Sequence, residues 1–199
     1  MPGRVLRVSA PDINGHLRVA VEQEHFAGNT RRTFLLRQER YADLGSPEKG
    51  DWLDDEALAA LAEAEGEIRA LAKAQTLLSY GDNSANALAR KLRQRGYSKE
   101  NAEAAVARML QKGYIREEEQ AYRLAVSCAT RKCWGPRRIL AELVHKGYPA
   151  SLVRRVIATA EADGEIDFEA SAALLLQKKF GDDPPSSLAR KQMLYQYGY

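Results

Sequence analysis

Along most of this chain the apolar positions fall at helical spacing, and the pattern returns after 51 residues. Ala102, Ala105, Val106 and Met109 stand at i, i+3, i+4, i+7, and Val153, Val156, Ile157 and Ala160 repeat the arrangement one period later. The segment ends keep the same period: Arg95-Gly96-Tyr97, Lys146-Gly147-Tyr148 and Tyr197-Gly198-Tyr199. Gly113 falls on Gly164, Ile115 on Ile166 and Leu124 on Leu175, so each copy holds more than one helix. Units that each leave an apolar face open must stack on their neighbours. The expectation is a mainly α protein of tandem three-helix repeats forming an elongated array, an architecture suited to recognition rather than catalysis.

The first 40 residues carry a different pattern. In His16 to Glu22, Leu17, Val19 and Val21 alternate with Arg18, Ala20 and Glu22, the period of a half-buried strand. Asn14-Gly15 is a hairpin signal, since both residues tolerate positive φ. Val5 to Ser9 is the expected partner strand, and Arg32 to Arg37, after an Ala27-Gly28-Asn29-Thr30 turn, the third. Ser46-Pro47-Glu48-Lys49-Gly50 breaks the chain before helical spacing starts at Asp54, where Gly66 marks a join between two helices.

The expected organisation is a β meander and loop over 1–50, linking helices over 51–74, and repeats over 75–115, 116–166 and 167–199. Within the first repeat Ser98 caps the last helix. In the second, Gly135-Pro136 starts the middle helix. The third runs through Glu169 to Lys179, a Gly181 to Pro185 break and Ser187 to Gln196, without a last helix, and Arg190 stands where Leu88 and Ile139 put apolar residues.

Charge sharpens the picture only once it is located. The net formal charge of +3 over 199 residues is unremarkable, but residues 1–74 sum to −3 and residues 84–155 to +10. Such a stretch attracts polyanions or acidic protein surfaces over a Debye length of about 10 Å. Cys128 and Cys133 have no third and fourth ligand for a zinc site, and read as small core residues on a helix. No leader and no apolar run of about 18 residues is present, which points to a soluble protein of the reducing cytoplasm.

No catalytic set emerges. His16 and His25 fall in the sheet region and His145 beside a helix end, and no phosphate loop occurs, so neither catalytic residues, cofactor nor metal is expected. Glu117-Glu118-Glu119 is read as complementing the positive end of a helix dipole. The candidates are basic: Arg90, Lys91, Arg93 and Arg95 in one repeat, then Arg131, Lys132, Arg137, Arg138, Lys146, Arg154 and Arg155 in the next. Arginine supplies forked contacts to phosphate and carboxylate. Arg90 and Arg93 lie opposite Leu88 and Leu92. Arg137 and Arg138 lie in the first turn after Pro136, where free backbone N–H groups would help hold an anion. Trp134 packs or stacks, and Tyr97, Tyr148 and Tyr199 read as wedges between helices.

The run Trp134-Gly135-Pro136-Arg137-Arg138-Ile139-Leu140-Ala141-Glu142-Leu143-Val144-His145-Lys146-Gly147-Tyr148 resembles the signature of the RecX family of recombinase regulators. Asn86-Ala87-Leu88-Ala89-Arg90-Lys91-Leu92-Arg93-Gln94-Arg95-Gly96-Tyr97 is similar to that family's first-repeat helix, and the likeness covers roughly residues 70–199. The N-terminal meander, through Leu44-Gly45 and Lys49-Gly50-Asp51, looks like an extension found in some members. The resemblance implies a non-enzymatic, monomeric cytoplasmic regulator that binds RecA and its filament on single-stranded DNA. Duplex DNA would bind more weakly, and no membrane is involved. Members lodge in the filament groove and suppress ATP hydrolysis and strand exchange. Carried over, the expectation falls on Arg137, Arg138 and Lys146 of the signature and on Arg90, Lys91 and Arg93 before it. A stand-alone DNA-binding protein of the helix-turn-helix class is the competing reading, predicting sequence-selective duplex binding without a recombinase. A purely structural helical adaptor is the third.

Overall fold

The computed structural model describes residues 2–25, 28–181 and 185–199. Ala27 of the expected turn and residues 182–184 of the expected break lie outside the described residues. Strands β1 (Gly3–Val8), β2 (His16–Gln23), β3 (Thr30–Arg37) and β4 (Trp52–Leu53) form an antiparallel sheet in the order β3-β2-β1-β4. Helices follow: α1 (Gln38–Asp43), α2 (Asp55–Ser79), α3 (Ala85–Arg93), α4 (Lys99–Gln111), α5 (Glu117–Lys132), α6 (Pro136–His145), α7 (Ala150–Ala162), α8 (Phe168–Phe180) and α9 (Ser187–Tyr197). The fold is mainly helical with a small sheet, as expected. The sheet gains a fourth, two-residue strand, β4, paired with β1.

The 51-residue period maps onto elements directly: α3, α6 and α9 begin one period apart, α4 and α7 start and stop one period apart, and α5 and α8 begin one period apart. The chain divides into two compact units, residues 1–79 with 89–109 and residues 80–88 with 110–199.

In the first unit, alternation puts Val5, Leu17, Val19, Val21, Phe34 and Leu36 on one face of the sheet, where they bury with Leu58, Leu61 and Ala64 of α2. Each such side chain contributes about 1.5–3 kcal/mol by leaving water. The turn before β2 is built by Asp12, whose carboxylate accepts from the N–H groups of Asn14 (2.8 Å) and His16 (2.9 Å). Gly15 there has a φ of 72°. Asp54 caps α2 by accepting from Ala57 N–H at 2.8 Å.

Gly66 does not join two helices. Helix α2 runs unbroken through it, and a Cβ at Gly66 would collide with the Asn101 side chain, which donates to Glu63 O at 3.1 Å. The glycine is there for the close approach of α4. Ser98 caps α4 as expected, accepting from Asn101 N–H, and its hydroxyl donates to Glu63 Oε1 at 2.6 Å.

The second unit buries Ala121, Ala125, Cys128, Ile139, Leu143, Tyr148, Val153, Val156, Ile157 and Ala160 in one core. Cys128 lies on α5, and burial pushes its thiol pKa up. Cys133 is not on the helix: it is the residue that ends it, in the left-handed conformation at φ 51°, with Trp134 N–H returning to Cys128 O at 3.2 Å. Both cysteines are free thiols.

Candidate binding surface

The period has a contact behind it. Ser84, which leads into α3, donates its hydroxyl to Lys146 O (2.8 Å), and Asn86 Nδ2 donates to Gly147 O (2.9 Å), seating the start of α3 on the end of α6. One period on, Gly135 N–H donates to Tyr197 O (2.7 Å), Arg137 N–H to Gly198 O (3.1 Å), and the Arg138 guanidinium to Gln196 O (3.2 Å). In both contacts the spare carbonyls of a helix end are met by donors at a helix start, side chains in the first and mainly backbone N–H groups in the second. This corrects the expectation of free backbone donors at Arg137: the first turn of α6 is occupied by the end of α9.

The three consecutive glutamates also separate. Glu117 accepts from Ala85 N–H at 2.8 Å and so caps α3 rather than its own helix, Glu118 pairs with Arg155 at 3.4 Å, and Glu119 with Arg116 at 3.4 Å.

The tyrosines wedge as their spacing suggests in this unit. Tyr148 is 3% exposed, its hydroxyl donates to Gln120 Oε1, and burial pushes its pKa up to about 12. The Tyr199 hydroxyl donates to Cys133 O at 3.2 Å and its ring meets Phe168 edge-on, with burial again taking the pKa to about 12.

The basic candidates divide by what already holds them. Arg90 and Arg93 on α3 are exposed, as is Arg95 just beyond it, whose guanidinium donates to Lys91 O at 2.8 Å, and Lys91 is half-buried; these four belong to the first unit. The others belong to the second. Trp134 both packs against the core and stacks, with Lys132 Nζ at 4.2 Å and the Arg138 guanidinium at 4.4 Å from its ring centre. Arg138 also lies 5.1 Å from the Tyr197 ring, so it ties the repeat contact together. Lys146 pairs with Glu142 at 3.4 Å. Arg131, Arg137 and Arg154 are exposed, with no ion pair or side-chain hydrogen bond among the described residues.

Two of those unpaired arginines come together. Arg137 of α6 and Arg154 of α7 line one cleft of about 210 Å³ whose floor is Leu140, Ile157 and Ala158, with Glu161 at its rim. Arg155, one residue on, turns to α5 instead. Spacing alone did not bring Leu140 and Ile157 into the site; their signal was an apolar position on each helix beside an exposed arginine. Tyr197, far along the chain at the end of α9, was not foreseeable as part of the Arg138 stack.

Residues 70–109, from the second half of α2 to α4, match the family model for the first three-helix domain of RecX. Over 80 residues the chain is 31% identical to the regulatory protein RecX of Serratia proteamaculans (strain 568), a stretch covering 40% of this chain and 45% of that relative. The chain therefore aligns with about half the length of the curated relative it matches. A crystal structure of a regulatory protein RecX superposes over 99% of this chain and 94% of its own, with a TM-score of 0.65 and 18% identity. RecX from Lactobacillus salivarius superposes over 68% of this chain and 90% of its own, with a TM-score of 0.58 and 17% identity. The likeness to RecX is thus shown in sequence over residues 70–109 and over one stretch of 80 residues, and in fold across the chain. Among the described residues no helix is long and apolar enough to cross a membrane.

Proposed function

We propose that this chain is a non-enzymatic regulator that binds the RecA recombinase and its filament on single-stranded DNA in the filament groove, lowering ATP hydrolysis and strand exchange in recombination and DNA repair. The observation that carries the reading is the α6–α7 cleft, where Arg137 and Arg154 stand beside Leu140, Ile157 and Ala158 and, among the described residues, neither is ion-paired. An arginine held next to apolar surface, with its guanidinium unspent, is the arrangement that binds a partner's carboxylate or phosphate. The match to the RecX first domain and the likeness to RecX structures support it. Arg90, Lys91 and Arg93 supply a second basic set on the first repeat, and Arg131, Lys132, Arg138, Lys146 and Arg155 supply long-range positive potential even where a neighbour holds them.

The test is the single-strand-dependent ATPase of the cognate RecA, titrated with this protein. Hydrolysis is expected to fall at near-stoichiometric amounts, and the Arg137→Glu/Arg154→Glu variant to need roughly tenfold more protein or beyond. An ATPase that does not respond to the unaltered chain refutes the reading.

A further inference from the structure

The sheet hides a charged surface that local net charge does not reveal. One face is buried against α2. The register fixes what stands on the other, because residues directly opposite on antiparallel strands share a face. Trp52, Arg4, Glu22 and Arg31 are opposite one another in a row across β4, β1, β2 and β3. Further along, Arg7 faces Ala20, Ala20 faces Thr33, Arg18 faces Leu35 and His16 faces Arg37. Arg4, Arg7, Arg18 and Arg31 are exposed, and Trp52 is 56% exposed. The open face therefore carries five arginines against one strand acid, Glu22, which pairs with Arg31 at 2.8 Å. Asp12 stands 3.9 Å from His16 at one end. Among the described residues, the buried Nε of Arg37 has no hydrogen-bond partner.

We propose that this face binds single-stranded nucleic acid, with Trp52 stacking on a base and Arg4, Arg7 and Arg18 taking phosphates. The dimensions suit it. Four strands about 4.8 Å apart, and the four residue steps from Arg18 to Glu22 at about 3.3 Å each, give a platform of roughly 14 by 13 Å, room for a few nucleotides. The chemistry selects the ligand. Exposed arginines surround a low floor of Ala20 and Thr33, with an exposed indole, Trp52, at the edge. A strand with exposed bases uses both the cations and the aromatic ring, while a duplex leaves its bases stacked and Trp52 idle. The site lies outside residues 70–109 and does not rest on recombinase binding.

The experiment uses the full chain and a fluorescent oligothymidylate, with no recombinase present, so its outcome is separate from the ATPase test. Anisotropy is read between about 50 and 200 mM salt. Arg4→Gln/Arg7→Gln/Arg18→Gln is expected to weaken binding and to reduce the salt slope by about 2, from roughly 0.7 per lost phosphate contact. Trp52→Ala is expected to cost about five- to a hundredfold. A second measurement leaves the sheet untouched: in a Trp134→Phe background, the oligonucleotide quenches the remaining Trp52 fluorescence. An unchanged slope in the triple variant with Trp52 unquenched overturns the proposal. So does equal or tighter binding of a duplex, or displacement by polyglutamate as effective as by unlabelled oligothymidylate, which would make the face a duplex or acidic-protein surface.

Discussion

Gly147 and Gly164 both end a helix in the second unit with positive φ, 94° and 75°, yet they sit in different surroundings. A Cβ at Gly164 meets nothing within 4 Å. A Cβ at Gly147 would stand 2.6 Å from Ser84 Oγ and 3.1 Å from Ala87 N, the first turn of the helix one repeat earlier. Alanine at either position takes on the left-handed conformation, about 1–2 kcal/mol. At Gly147 it must also displace Ser84 and its hydrogen bond to Lys146 O, adding about 1–3 kcal/mol by the usual cost of overpacking. Gly147→Ala should therefore lower the melting temperature more than Gly164→Ala, by about 2–4 °C for each extra kcal/mol in a chain of this length.

Thermal unfolding followed by circular dichroism reads the difference, and a double-mutant cycle identifies its source. Alone, Ser84→Ala loses the bond to Lys146 O and the cap on Ala87 N–H, at a cost of about 1–2 kcal/mol. With Gly147→Ala already present, the same change removes the atom the new methyl meets first, so it costs less and the pair is coupled. Equal shifts for the two glycine variants, or strict additivity with Ser84→Ala, would refute the claim that this glycine serves the contact between repeats.

Other outcomes follow from the same geometry. Leu143→Ala, at a fully buried site, should destabilise by about 2–5 kcal/mol in chemical denaturation. Arg138→Ala should lower stability measurably, since it loses the Gln196 O bond and two ring contacts, whereas Arg137→Ala should leave the melting temperature unchanged within error. For Tyr148 and Tyr199 the folded pKa lies above the unfolded value near 10, so the folded state keeps protons that the unfolded chain loses. Their contribution is whole below pH 10 and is lost between about pH 10 and 12; the melting temperature should fall across that window, and less steeply in Tyr148→Phe/Tyr199→Phe.

What was legible in the sequence was whatever repeats or alternates. The 51-residue period located α3 to α9 to within a few residues, because each copy must present the same apolar stripe to close its core. Strands β1 to β3 were legible because Leu17, Val19 and Val21 alternate against a single buried face. Strand β4 is two residues long and α1 buries none, so neither carries a period to detect. Gly66 misled because a glycine inside a helical pattern has two physical causes, a break and a close approach, and only the position of Asn101 separates them. At Arg137 the missing information was again a partner far along the chain: the carbonyl of Gly198 consumes the N–H that a helix start otherwise offers.

Charge shows the same limit more sharply. Residues 84–155 announce their basic excess because few acids interrupt it, yet within them Arg138, Lys146 and Arg155 are held by neighbours and Arg137 and Arg154 are not. The sheet inverts the case. Its arginines are masked in the running sum by the acids of α1, α2 and the loop between, which belong to other surfaces, so a segment of net −3 presents its most cationic face to solvent. Composition counts charges along the chain, whereas binding depends on which of them share a face and remain unpaired. For a sheet that is decided by register: had β1 paired with β2 one residue out of step, Arg4 and Arg7 would point into the core and Val5 into water. Burial of Val5 and Val21 side by side is therefore what sets Arg4 beside Trp52 on the open face, and the apolar core of the first unit fixes where its charge is presented.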